Sequence, residues 1–334
     1  MRSLKVIGAC GAAGASALAY LAYRKDLEAA RKRIRTDRQF IDSPHGSIEF
    51  AEAGDGPAVL FVHGAGGGFD QGLGLGAAFL GDGYRIIAPS RFGYLGTALP
   101  ADASPRAQAD AHLRLLDALQ LESVAVIGLS AGGPSAMQLA LQHPERCTAL
   151  VLIVPMAWAP ERMARGDARL SPMFLPVLNA VASSDFLFWT AMKMARPTLV
   201  KTLLGTPVPM YRNATSEERR GVDQVLRTIL PISKRSAGIW NDGNVASTLT
   251  RCPLEDMRVP TLVISAADDL YDTYESGLHT AEQIRDARFI GFSTGGHLLL
   301  GHEVEVRSEI TTFVQEHLGA RSAPSESFMS ARSS

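Results

Sequence analysis

The stretch "VIGLSAGG" at residues 126–133 decides how this chain is read. It places G-x-S-x-G directly behind a β-branched apolar run, the local pattern of a serine held on a strand-to-helix turn. The pattern recurs as "FIGFSTGG" at residues 289–296, so Ser130 and Ser293 compete for one role. An acyl-transfer serine needs a base to take its proton, an acid to orient that base, and N–H donors for the oxyanion. In an open parallel sheet such groups sit on loops at the carboxyl ends of strands.

Around Ser130, "AVLFVHG" (58–64), "YRIIAPS" (84–90), "SVAVIGLS" (123–130) and "TALVLIVP" (148–155) are nearly all apolar. Strands buried on both faces have this composition. Gln71–Leu80, Ser104–Leu119 and Ala131–His143 lie between them with helical spacing. Upstream, "QFIDS" and "SIEFAEAG" joined by "PHG" read as an antiparallel entry to the sheet. Downstream, "TLVISAAD" (261–268), a helix near Thr273–Asp286, the strand "ARFIGF" and a last helix to Leu318 resume the alternation. The pattern predicts an α/β fold: a mostly parallel central sheet covered by helices on both faces. The hundred or so residues from Pro155 to Pro260 show no strand alternation, and so long a structureless loop does not occur in a compact domain, which makes them a helical insertion. The expected division is an N-terminal segment 1–37, a core of 38–155 with 259–319, an insertion 156–258 and a disordered tail 320–334.

This order separates the two serines. Ser130 ends a central strand, and Asp268 with Asp269, then His297, follow later strands. Ser293 has only one helix and a tail beyond it, so nothing downstream supplies an acid loop. Its neighbouring glycines have a plainer use, letting the chain turn tightly and present His297. Ser130 is therefore the predicted nucleophile, with Asp268, Asp269 and Asp272 as candidate acids.

Composition narrows the function classes. Lys and Arg total 33 against 34 Asp and Glu, for a net charge of −1, which lacks the basic footprint of a nucleic-acid binder. Cys10, Cys147 and Cys252 are odd in number and form no C-x-x-C, so neither a disulfide framework nor a zinc site is expected. His45, His112, His143, His279, His302 and His317 lack metal-ligand spacing, and His63 is expected to shape the glycine loop. No metal or cofactor is called for.

The N-terminus carries an uncharged run, Val6–Tyr23, of 18 residues, about the minimum for a spanning helix. The glycines of "VIGACGAAG" within it lack the preceding strand of a dinucleotide-binding loop. "RKDLEAARKRIRTDR" follows with seven basic and three acidic residues, which favours an uncleaved anchor with the catalytic domain on the cytoplasmic side. Cleavage of a secretory signal near "ASALAY", giving a secreted or periplasmic protein, is the alternative.

Residues 39–318 resemble the α/β-hydrolase superfamily, particularly its lid-bearing, cofactor-free esterase-like members. The resemblance rests on "VHGAGGG", "GLSAGG", "QHPERCTALVLI", "VPTLVISAADD" and "STGGH" in that order. It implies Ser130 as nucleophile, His297 as general base and Asp269 as acid. It implies oxyanion donors at the N–H of Ala65 and Ala131, with Gly66 as the neighbouring candidate. The start of a helix at Ala131 suits a developing negative charge. Two departures stand out: Ser90 in "SRFGYLGT", where many relatives carry Asp, and Ala266 where Gly is frequent. A serine at the elbow argues against the dehalogenases and epoxide hydrolases of this fold, which use Asp there.

The function expected from these readings is a membrane-anchored serine hydrolase acting on a small hydrophobic carboxylic ester. C–C bond hydrolysis or acyl transfer with the same triad, or a non-catalytic binder of the same fold, are the alternatives. The apolar run Met173–Met194, with Phe186, Leu187, Phe188, Trp189 and Met192, is expected to roof Ser130 as a lid and line an apolar acyl or aryl pocket, with packing on the main domain as extra core the alternative.

Overall fold

Among the described residues eight strands form one sheet in the order β1-β2-β4-β3-β5-β6-β7-β8. They are β1 (Gln39–Ser43), β2 (Gly46–Ala53), β3 (Ala58–Val62), β4 (Arg85–Pro89), β5 (Val124–Leu129), β6 (Cys147–Ile153), β7 (Thr261–Ala266) and β8 (Arg288–Phe292). The computed structural model describes residues 2–160 and 180–318, with side chains from residue 16 onward. The expected tail 320–334 and the apolar residues Met173–Leu178 lie outside the described residues. The pairs β1–β2 and β2–β4 are antiparallel, and every later pair is parallel.

Strand alternation sorts the core into two layers. Leu60, Val62, Val126, Leu150, Leu152 and Val263 face one side of the sheet. There they meet α3 (Pro105–Ala118), α4 (Gly133–Gln142) and α10 (Thr273–Gln283) through Leu115, Leu116, Leu139 and Ala281. The residues between them, Val59, Phe61, Ile127, Val151 and Ile264, face the other side. These pack on α2 (Phe69–Leu80) and α11 (Glu303–Leu318) through Leu80, Ile310 and Phe313. Successive side chains of a strand point to opposite faces, so a continuous apolar run is what a doubly covered sheet requires.

Between β6 and β7 the chain leaves the sheet for helices α5 (Asp185–Met194), α6 (Arg196–Leu203), α7 (Val208–Asn213), α8 (Ser216–Thr228) and α9 (Ser236–Thr248). These have a core of their own, built on Phe188, Trp189, Val200, Val222, Leu226 and Ile229.

The N-terminal helix α1 (Arg2–Arg33) overturns the expectation of a membrane anchor, and with it the transmembrane helix, the membrane partner and the membrane-anchored localisation. Among the described residues no helix is long and apolar enough to cross a membrane. Ten of the eighteen residues Val6–Tyr23 are Ala or Gly, whose small side chains supply little apolar area per turn. The basic stretch after them continues the helix and docks on the insertion. Leu27 and Ala30 are buried in the insertion core, and Tyr23 packs edge-on against Phe186 and Trp189. Trp189 Nε1 donates to Asp26 Oδ2 at 2.8 Å, and Lys193 Nζ pairs with the same oxygen at 3.0 Å.

Candidate active site

Ser130 sits where β5 turns into the short helical turn Ser130–Gly132 that leads into α4, and its φ is +49°. A non-glycine residue in that left-handed region is strained unless its surroundings hold it there. The two glycines of the motif show what holds it. A Cβ on Gly128 would lie 2.7 Å from the Cβ of Ala136, and one on Gly132 would lie 2.4 Å from the carbonyl oxygen of Val62. Strand, turn and helix approach each other too closely for any other residue. At "FIGFSTGG" the glycines work differently: Gly295 (φ +141°) and Gly296 (φ +59°) reverse the chain ahead of His297, and Ser293 is exposed.

Ser130 Oγ lies 2.9 Å from His297 Nε2, and His297 Nδ1 lies 2.7 Å from Asp269 Oδ2. A carboxylate can only accept, so Nδ1 carries the ring proton and Nε2 is left to accept from the serine hydroxyl. Asp269 is 4% exposed, and its oxygens also accept from the N–H of Tyr271 at 2.8 Å and from the hydroxyl of Thr273. Asp268 points elsewhere and accepts the N–H of Gly296 at 2.8 Å. Asp272 occupies the N-cap of α10 in left-handed conformation and makes no side-chain cap there.

The glycine loop after β3 lies beside the serine, since a Cβ on Gly64 would come 3.2 Å from the Cβ of Ser130. Of the three expected oxyanion donors, the N–H of Gly66 is engaged, donating to Tyr94 Oη at 3.2 Å. Ala131 is the second residue of its turn and has no intrahelical acceptor. His63 is fully buried: it accepts the N–H of Arg91 at Nε2 (3.0 Å) and donates from Nδ1 to Gly64 O (2.7 Å). Burial, and then the Arg91 cation, push its pKa well below the usual histidine value, so it is a neutral brace for the loop.

Ser90, the departure from the family pattern, hydrogen-bonds the buried carboxylate of Glu49 at 3.0 Å and accepts the N–H of Phe69 at 3.2 Å. The acidic group at this turn comes from β2.

A cavity of about 850 Å³ opens at Ser130 and His297. Its apolar wall combines Leu75 and Phe79 of α2 with Met156, just after β6, and Leu203, Val222, Val225, Ile229 and Ile239 further along the insertion. Residues 186–192, expected to line it, do not. Phe188, Trp189 and Met192 are buried in the insertion's own core against α1, while Phe186, Leu187 and Met194 are 45%, 42% and 83% exposed. Sequence reasoning also missed Gly205 (φ +52°), whose carbonyl accepts the N–H of Leu270 at 3.0 Å and of His297 at 3.4 Å. Tyr271 stands edge-on to the His297 ring, centroids 4.9 Å apart. A glycine just after an apolar helical run was the one available signal for a turn at Gly205.

The profile of the α/β-hydrolase fold matches residues 57–303, and the chain belongs to that family. A 2-hydroxymuconate semialdehyde hydrolase from Pseudomonas sp. (strain CF600) is 35% identical over 273 residues, covering 79% of this chain and 89% of that protein. An uncharacterized hydrolase, YcgS, from Bacillus subtilis is 28% identical over 289 residues, covering 82% of this chain and 95% of its own. Among solved structures, an α/β-hydrolase fold protein from Nakamurella multipartita superposes with a TM-score of 0.66 at 26% identity, covering 83% of this chain and 99% of that one. Fold and Ser–His–Asp geometry together make this chain an enzyme of the serine-hydrolase, esterase-like type.

Proposed function

We propose that the chain hydrolyses neutral carboxylic esters bearing an apolar acyl or aryl group. The observation that carries this reading is the hydrogen-bonded line Ser130–His297–Asp269 opening into a largely apolar cavity of about 850 Å³. Ser130 Oγ attacks the ester carbonyl as His297 Nε2 takes its proton, and Asp269 holds the imidazole in the Nδ1–H tautomer. The N–H groups of Ala65 and Ala131 receive the oxyanion, where a single such donor is worth about 3 kcal/mol. His297 returns the proton to the leaving alcohol, and water then releases the acyl group by the same route.

The name of the 35% identical relative supports a second reading, hydrolysis of a muconate-type carboxylate by the same triad. Charge favours the ester. Among the described lining residues Glu217, Glu218 and Glu303 outnumber the single arginine, Arg307, while Asp242 is already paired with Arg91. A substrate carboxylate meets more negative than positive charge there, which disfavours its binding. The test is a series of neutral esters of increasing acyl length run beside a muconate semialdehyde. Efficiency rising from acetyl to medium-chain or aromatic esters supports the ester reading. Turnover of the carboxylate alone overturns it.

A further inference from the structure

Two buried ion pairs grip the glycine loop, and the insertion supplies one partner of each. Arg235, just ahead of α9, is fully buried, donates through Nη1 to the carbonyl of Gly67, and through Nη2 to both oxygens of Asp70 at 3.0 and 2.9 Å. Asp70, in the first turn of α2, also receives Nε of Arg33 from α1 at 2.8 Å. On the other side of the loop, Asp242 in α9 takes the guanidinium fork of Arg91 at 2.7 and 2.8 Å and the hydroxyl of Tyr94 at 2.6 Å. Arg91 in turn donates Nε to the carbonyl of His63 at 2.8 Å, and Tyr94 Oη accepts the N–H of Gly66 at 3.2 Å. The backbone on both sides of Ala65 is therefore pinned, by Arg91 and Tyr94 held on Asp242 of the insertion and by Arg235 of the insertion itself.

A buried ion pair is a poor device for stability alone, because desolvation offsets much of its attraction and a packed apolar replacement often serves as well. What such a pair supplies is direction. Here that direction falls on the segment whose N–H must meet a developing oxyanion, where small displacements lose transition-state binding. The close fit of α9 on the turn after β4 supports a fixed geometry: Gly238 N–H donates to Gly93 O at 2.9 Å, and a Cβ on Gly238 would overlap the Tyr94 ring.

We propose that Arg235 and Asp242 are positioning residues that set the oxyanion loop, so that the insertion contributes to transition-state stabilisation and not only to the pocket wall. This rests on the serine-hydrolase reading with Ala65 and Ala131 as donors. The test compares Tyr94→Phe, Arg235→Lys and Arg235→Met with the parent enzyme, reading kcat, KM and inhibition by a trifluoromethyl ketone whose serine adduct carries an oxyanion. Tyr94→Phe removes one oxygen and decides the matter even where Arg235→Met does not fold. The expected result is kcat lowered about ten- to a hundredfold with KM within about twofold, and ketone inhibition weakened by a similar factor. Arg235→Lys, which keeps the charge but loses the fork, recovers part of the Arg235→Met loss. Parental kcat in both Tyr94→Phe and Arg235→Lys, or a loss confined to KM, overturns the proposal. Turnover retained in Ser130→Ala overturns the parent reading instead, so the two failures are distinct.

Discussion

Asp268 and Asp269 are adjacent in the chain and divide the support of one histidine loop between them. Asp269 Oδ2 lies 2.7 Å from the His297 ring, while Asp268 Oδ1 accepts the backbone N–H of Gly296 at 2.8 Å. One carboxylate orients the imidazole and the other holds the turn that presents it. Asp269→Asn is expected to lower kcat by about four orders of magnitude, because an amide no longer enforces the Nδ1–H tautomer. Asp268→Ala removes one charge-assisted hydrogen bond to backbone and is expected to cost about tenfold. Steady-state kinetics on one ester checks both, and equal losses would contradict the division of roles.

Two buried histidines predict an acid-side loss of stability. His112, buried in α3 with Nδ1 unpartnered among the described residues, has its pKa pushed down to about 3, chiefly by burial and then by Arg91. His63 is lowered in the same direction. The unfolded chain binds these protons near the ordinary histidine pKa of about 6.5 and the folded one does not. Stability is therefore complete above about pH 6.5 and falls as pH drops below it, by up to about 1.4 kcal/mol per unit for each histidine. Urea midpoints at about pH 7 and pH 5 measure the slope, and His112→Leu should remove one proton's share of it. An unchanged slope would place that proton elsewhere.

Gly205 joins the insertion to the catalytic loops. A Cβ there would lie 2.6 Å from the Tyr271 ring and 3.0 Å from His297 Cβ, at a φ of +52°. Gly205→Ala is expected to cost about 1–2 kcal/mol from the left-handed backbone alone and to lower kcat by disturbing His297. Gly74→Ala, on the exposed face of α2 with open space around it, should be neutral or stabilising by up to about 1 kcal/mol. Melting curves with kcat separate the two, and equal behaviour would remove the special role of Gly205.

The pocket wall predicts where acyl preference resides. Val222, Val225 and Ile229 line the cavity, and each methylene buried against them is worth about 0.8 kcal/mol at most. Val225→Ser should flatten the rise in kcat/KM with acyl length, whereas Phe186→Ser, on the exposed side of α5, should leave it standing. The reverse pattern would return the pocket to residues 186–192.

The central strands, their cover and the serine turn were legible because each rests on a local rule. A doubly buried strand reads as an apolar run, and Gly128 and Gly132 mark a close approach of strand, turn and helix at the serine. The acid and the histidine followed from strand order together with the family resemblance. What was not legible depends on contacts across the chain. Nothing local to Arg235 or Asp242 says that their partners are Asp70 and Arg91, 165 and 151 residues away. The apolar stretch around Trp189 does not roof the site as its composition suggests, because density of apolar residues does not say which surface they cover. Its partner is α1, through Leu27 and Ala30. The same contact explains the misreading of the N-terminus: an uncharged run followed by basic residues fits an anchor, and it equally fits a helix that continues onto the protein surface.

Labelling with a serine-directed fluorophosphonate, followed by mapping of the modified peptide, tests the central claim most directly. The geometry predicts a single label on Ser130, abolished together with ester turnover in Ser130→Ala, and label retained in Ser293→Ala. A label on Ser293, or turnover persisting in Ser130→Ala, would contradict the assignment of Ser130 as the nucleophile.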